Sequence, residues 1–111
     1  MEEMAVLSRA PIAERIDAAS RYAKTFTDAR SELYEMLDTW EAWWRDVLMV
    51  RANAPELITN IDQAPTLRSA AGRVPVRKAA GTVELIRQTR RQLLENVNPR
   101  LALEALALGV P

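Results

Sequence analysis

The stretch ARSELYEMLDTWEAWWRDVLMV, Ala29 to Val50, decides the fold. Its apolar residues Ala29, Leu33, Met36, Leu37, Trp40, Trp44, Val47 and Leu48 recur three and four apart, which predicts a helix over 28–52. At about 100° per residue with Trp40 at zero, Trp43 falls near 300°, Trp44 near 40°, Leu48 near 80° and Val50 near 280°. The apolar arc is then roughly 160° wide, whereas a helix that merely covers a bundle needs about 100°. This helix is therefore expected at the centre of the fold, against two or more neighbours. Glu35, Asp38, Glu41 and Asp46 are expected on its outer face, Thr27 or Asp28 at its cap, and Asn53-Ala54-Pro55 at its stop.

Outward from that helix the spacing remains helical, and no run alternates long enough to suggest a strand. Pro11 opens a helix over about 11–25 with Ile12, Ile16, Ala19 and Ala23 on one face. Short helices over about 55–60 and 65–72 follow in the least periodic part of the chain. Pro75 opens a long helix to about Val97 with Val76, Ala79, Ala80, Val83, Ile86, Leu93 and Leu94 on one face, although Gly81 in its interior costs about 1 kcal/mol relative to Ala. Asn98-Pro99 places an N-cap residue before a first-turn residue and opens a last helix to about Leu108, with Gly109 at its end. The fold class is all-α, a bundle of about five to six helices.

Composition narrows the functions open to such a bundle. The 111 residues contain no Cys and no His, which excludes disulfides, thiolate or imidazole metal sites and Ser-His or Cys-His nucleophiles. The three glycines form neither a dinucleotide fingerprint nor a phosphate loop, so no catalytic, cofactor or metal site is assigned. No apolar window is long enough to span a membrane and Glu2-Glu3 replace a basic leader region, so a cytoplasmic protein is expected. Fifteen bases balance fifteen acids, but residues 1–67 hold 12 acids against 7 bases and residues 68–111 hold 8 bases against 3 acids. The two halves are expected to attract each other.

Several residues stand out as candidates for contacts. Trp43, at the edge of the stripe, reads either as core or as part of a partner surface, where Trp is enriched. On the last helix Leu101, Ala105 and Leu108 share one side and Leu103 and Leu106 the other, so one apolar side is available to another chain. Asn98, Leu101, Leu103, Leu106, Leu108 and Trp43 are the candidate subunit interface. Arg87 and Arg90 fall inside the apolar stripe of their helix, so Arg90 is expected to pair with a carboxylate of the Trp helix, Asp46 being the candidate. The alternative is a nucleic-acid-binding module in which the Arg-rich helix 75–96 presents Arg77, Lys78, Arg87 and Arg91 to phosphates.

The segment Thr39-Trp40-Glu41-Ala42-Trp43-Trp44-Arg45-Asp46-Val47-Leu48 resembles the W-x-x-W-W-R-D-hydrophobic segment of the bacterial DNA polymerase III delta-prime family. Thr89-Arg90-Arg91-Gln92-Leu93-Leu94-Glu95-Asn96-Val97-Asn98-Pro99-Arg100-Leu101-Ala102-Leu103-Glu104-Ala105-Leu106 resembles the T-R-R-Q-L-x-x-N-V-N-P-x-L-x-L-E-x-L run near its C-terminus. With a weaker match over Glu14–Lys24, the resemblance covers about 12–111, and the gamma/tau subunit is a paralogue with a related helical domain. It implies a clamp-loader collar domain that joins the corresponding domains of sister subunits, gamma/tau and delta, above their AAA+ modules during DNA replication. Residues 1–11 would be a linker remnant following absent AAA+ modules. The resemblance implies no cofactor, no small-molecule substrate, no membrane contact and no direct contact with nucleic acid for this domain.

Overall fold

The wide apolar arc of the Trp segment requires covering on several sides, and its neighbours supply that. The computed structural model describes residues 2–111 as helices α1 (Glu2–Arg9), α2 (Ile12–Asp28), α3 (Arg30–Arg51), α4 (Ala64–Ala71), α5 (Val76–Leu94) and α6 (Pro99–Gly109), with 3-10 turns at Pro55–Leu57 and Ile61–Gln63. The helix α3 packs against α2, α4, α5 and the first 3-10 turn, while α6 lies between α2 and α5. Leu33, Leu37, Trp40, Trp43, Trp44 and Val47 of α3 are all buried, so it is the central helix that its arc predicts. Tyr22 of α2 meets Trp40 edge to face at 5.4 Å between ring centroids. The radius of gyration is 13.8 Å, close to the ~13 Å of a packed chain of this length.

Helix ends follow local chemistry, with one exception. Asn53 and Asn96 adopt left-handed φ values of 61° and 59°, which a short polar side chain tolerates. Each sits two positions past the last residue of a helix, just after the cap residue Ala52 or Glu95, and the following N–H reaches back, Ala54 to Met49 at 2.8 Å and Val97 to Gln92 at 2.9 Å. These bonds satisfy carbonyls that α3 and α5 would otherwise leave open. This is why α5 stops at Leu94 rather than near Val97. The exception is the cap expected from Thr27 or Asp28. There α2 continues to Asp28, which accepts from Lys24 at 2.6 Å, and Ala29 alone links α2 to α3.

Residues 2–9 form a helix whose Met4 and Leu7 are buried and which packs on α2. Met4 and Leu7 are three apart and so share a face, a short stripe easily passed over in eight residues. Two further expectations, for the buried faces of α2 and α5, are corrected by packing. On α2 the buried residues are Ala18, Ala19, Tyr22 and Phe26, while Ile12 and Ile16 are exposed. The neighbour sits on the aromatic edge of the wheel rather than on the isoleucine edge. On α5 the buried set is Ala79, Thr82, Val83, Ile86, Thr89 and Leu93, with Val76, Ala80 and Leu94 exposed. Thr82 and Thr89 enter the interior because their hydroxyls donate to the carbonyls of Lys78 and Leu85, each at 2.8 Å.

Gly81 does not break α5, and a Cβ built on it meets no atom within 4 Å. Gly81→Ala is therefore expected to raise stability by about 0.5–1 kcal/mol, chiefly by restricting the unfolded chain. Denaturant melting checks this, and a loss of stability would contradict the open setting. At Gly109 the reverse holds, since a Cβ would approach Leu85 Cδ2 to 2.5 Å; glycine there lets the end of α6 lie close on α5.

Candidate subunit interface

The surface of α6 begins at its cap. Asn98 takes φ 27° and its side chain accepts from the Leu101 N–H at 3.2 Å, while Pro99 fills the first turn where no N–H is required. This geometry fixes where each α6 side chain points. Ala102, Leu103, Leu106 and Ala107 are buried, whereas Leu101 and Leu108 are 60% and 45% exposed and Ala105 between them is also exposed. Val97 and Leu101 line one shallow groove with Gln92, Asn98, Ala102 and Ala105. Exposed apolar residues thus run from Val97 along α6 through Leu101 and Ala105 to Leu108, an apolar surface of the kind that marks contact sites.

The structure therefore divides the candidate interface set. Leu101, Leu108 and Asn98 are at the surface; Leu103 and Leu106 are fully buried and belong to the bundle's own core. Trp43, 7% exposed, is also core, buried in one cluster with Val47 and with Val50 packed against it. Of the two readings kept open for Trp43, burial selects the first.

The ion pairing also differs in its partners. Arg90 Nη1 donates to Glu41 Oε1 at 2.8 Å and its Nη2 to Asp38 Oδ1 at 2.6 Å, and Arg87 Nε donates to Glu41 Oε2 at 3.1 Å. Arg90 thus does pair with the Trp helix, but through Glu41 and Asp38 rather than Asp46. These contacts join the basic half of the chain to the acidic half across α3 and α5. Burial disfavours ionisation of Glu41, yet hydrogen bonds from Arg90 and Arg87 outweigh it and hold the carboxyl below its ordinary range. Arg91 pairs with Glu84 at 3.1 Å, so Arg87, Arg90 and Arg91 all have carboxylate partners within the chain.

Asp46 has a different task. It is buried, and its carboxylate accepts from the N–H groups of Thr59 and Asn60 at 2.9 and 2.8 Å, from the Thr59 hydroxyl and from Asn60 Nδ2 at 2.6 Å. Burial again opposes ionisation, and the donors from Thr59 and Asn60 prevail and lower the carboxyl's pKa. This carboxylate pins the irregular segment between α3 and α4 onto the bundle. Placing Asp46 on the outer face of the wheel missed this, since that segment lies over it.

Arg15 had no predicted role, yet it ties three helices together. Its Nε and Nη2 donate to Ala10 and Ser8 carbonyls, both at 3.0 Å, and its Nη1 to Val110 at 2.7 Å and Ala107 at 3.3 Å. A guanidinium satisfying the open carbonyls at the ends of α1 and α6 fixes both to α2. Only its spacing from the end of α1 hinted at this in the sequence.

Among the described residues no group of three or more acidic side chains is placed to hold a metal ion, and no helix is long and apolar enough to cross a membrane. The geometry assembled here is that of an all-α bundle with one helix presenting apolar side chains outward. The family described as DNA polymerase III, delta subunit, C terminal, matches residues 14–110, and the chain belongs to this clamp-loader domain family. No match was found among curated proteins or among solved structures.

Proposed function

We propose that this domain is a subunit-assembly domain of the clamp loader, from the delta-prime subunit, and that it joins the C-terminal domains of gamma/tau and delta by helix-to-helix burial. The observation that carries this reading is the exposed α6 surface of Leu101, Ala105 and Leu108, held in place by the Asn98 cap. Leucine side chains at i and i+7 with a small residue between them suit close packing against a second helix. The domain itself does no chemistry; its contribution is position. The family membership supports a role in replication, and the Trp40–Leu48 and Thr89–Leu106 segments support delta-prime within it.

Titration of this chain into separately purified gamma/tau and delta C-terminal domains tests the assignment. The delta-prime reading expects association with these two. Association with a delta-prime C-terminal domain in their place would move the assignment to gamma/tau. Leu101→Glu with Leu108→Glu is expected to weaken association by at least about tenfold, since each places a charge where apolar surface is covered. Unchanged affinity in the doubly substituted chain would remove this face as the contact.

The nucleic-acid alternative is less well supported, because Arg87 and Arg91 are engaged with Glu41 and Glu84. Breaking those pairs to reach phosphates would return part of the gain.

A further inference from the structure

The chain's bases are unevenly engaged. Arg21, Lys24, Arg87, Arg90, Arg91 and Arg100 each form an ion pair. Among the described residues, Arg45, Arg51, Arg68, Arg73, Arg77 and Lys78 form none, and the stretch that holds them contributes only Glu56 and Asp62 as further acids besides the internally bonded Asp46. Arg90 bonded to Asp38 and Glu41 sets α3 and α5 antiparallel, so the end of α3 at Arg51 lies level with the start of α5 at Arg77. These six gather toward that end; Arg9, Arg15 and Arg30, which form no ion pair among the described residues either, lie on α1, α2 and the start of α3.

The same end carries an apolar groove of about 300 Å³ between α3 and α4. Val50, Pro55, Ile58, Ile61 and Ala64 line it, and Glu56 and Arg68 stand at its rim. Ile61 of this lining is 75% exposed, and Leu57, between Glu56 and Ile58 in the chain, is 61% exposed. The groove exists because the Asp46 carboxylate holds Thr59 and Asn60 against α3, which raises the 3-10 turns into a wall.

We propose that this groove docks an acidic peptide segment of a partner protein, one apolar side chain of the peptide entering the groove while its carboxylates meet Arg51 and Arg68. Charge complementarity selects the occupant: six bases without an ion pair outnumber Glu56 and Asp62 and leave this end net positive, which disfavours a basic partner, and arginine pairs with carboxylates in a fixed two-pronged geometry. Nucleic acid would bring the opposite charge as well, but all six aromatic residues lie between Tyr22 and Trp44, so α4, α5 and the turns offer no ring on which bases would stack. Aliphatic lining suits a leucine or phenylalanine side chain instead. This site is separate from the α6 surface and does not depend on the assembly reading.

Fluorescence anisotropy on this chain with three labelled probes provides the test: the peptide Glu-Asp-Glu-Leu-Phe-Asp-Glu, the same peptide with Gly-Ser in place of Leu-Phe, and an oligothymidylate of about fifteen nucleotides. The anchored peptide is expected to bind at least about tenfold more tightly than the other two, and Arg68→Glu or Ile61→Ser to weaken it by about tenfold. Both substituted positions are exposed, and melting curves establish that each variant is folded; Leu57→Ser serves in place of either that is not. Tighter binding of the oligonucleotide, equal binding of the two peptides, or no anisotropy change up to about 1 mM would each overturn the proposal.

Discussion

Leu106→Glu will unfold the domain at 25 °C, whereas Leu108→Glu, two residues further along the same helix, will melt with the parent chain. Leu106 is fully buried, beside Leu103 and the two alanines that let α6 approach α2 and α5 closely. A carboxylate there loses the apolar burial of leucine and must either remain charged without a partner or take up a proton, at a cost of several kcal/mol. The whole domain holds only about 5–15 kcal/mol in reserve. Leu108 is 45% exposed, so a carboxylate there stays in water and the change is expected within about 0.5 kcal/mol. Circular dichroism at 222 nm during heating reads both. A folded Leu106→Glu chain would show that α6 does not bury the face described.

Asp46→Ala is the second large effect, a loss of about 3 kcal/mol. The substitution removes one acceptor group and strands the donors of Thr59 and Asn60, and hydrogen bonds to a charged acceptor contribute about 1.5–3 kcal/mol each without adding fully. Asp46→Asn is expected to fall between, because its oxygen still accepts from a backbone N–H while its amide sets a donor against Asn60 Nδ2. The pH dependence follows with a definite sign. The carboxyls of Asp46 and Glu41 have lower pKa values folded than unfolded, so their contribution is complete above the unfolded values near pH 4 and is lost as pH falls through the folded ones. Stability should therefore be level from about pH 7 to 5 and fall below about 4, less steeply in Asp46→Asn than in the parent. Equal acid sensitivity of the two would assign the loss elsewhere.

Much of the bundle is legible in the order of residues, because Pro11, Pro75 and Pro99 open helices and Asn53 closes α3 at the expected stop, whereas Asn96, which closes α5 by the same local chemistry, lies inside the helix expected to about Val97. The choice between two apolar sides of one helix is less legible. On α6 both Leu101/Leu108 and Leu103/Leu106 are leucine pairs, and the difference lies in the small neighbours Ala102 and Ala107, which permit backbone approach on the second side. Asp46, expected on the outer face, is covered for a related reason. A wheel shows direction, while the cover on that side is the aperiodic stretch from Ala52 to Gln63, whose path no periodicity reports. Even so, that stretch needs acceptors for its unpaired N–H groups, and a lone Asp on the adjacent helix is the residue type that supplies one. The arginines of α5 were better served, since Arg90 inside an apolar stripe had to meet a carboxylate, and the acidic first half offered Asp38 and Glu41.

The most direct test of the assembly reading is light scattering on this chain mixed with the gamma/tau and delta C-terminal domains, compared with the Leu101→Glu, Leu108→Glu chain in the same mixture. The expected result is a mixed complex whose mass exceeds that of each component, formed by the parent and lost in the doubly substituted chain although both melt alike. A parent chain that stays at 12.5 kDa beside unassociated partners would contradict it.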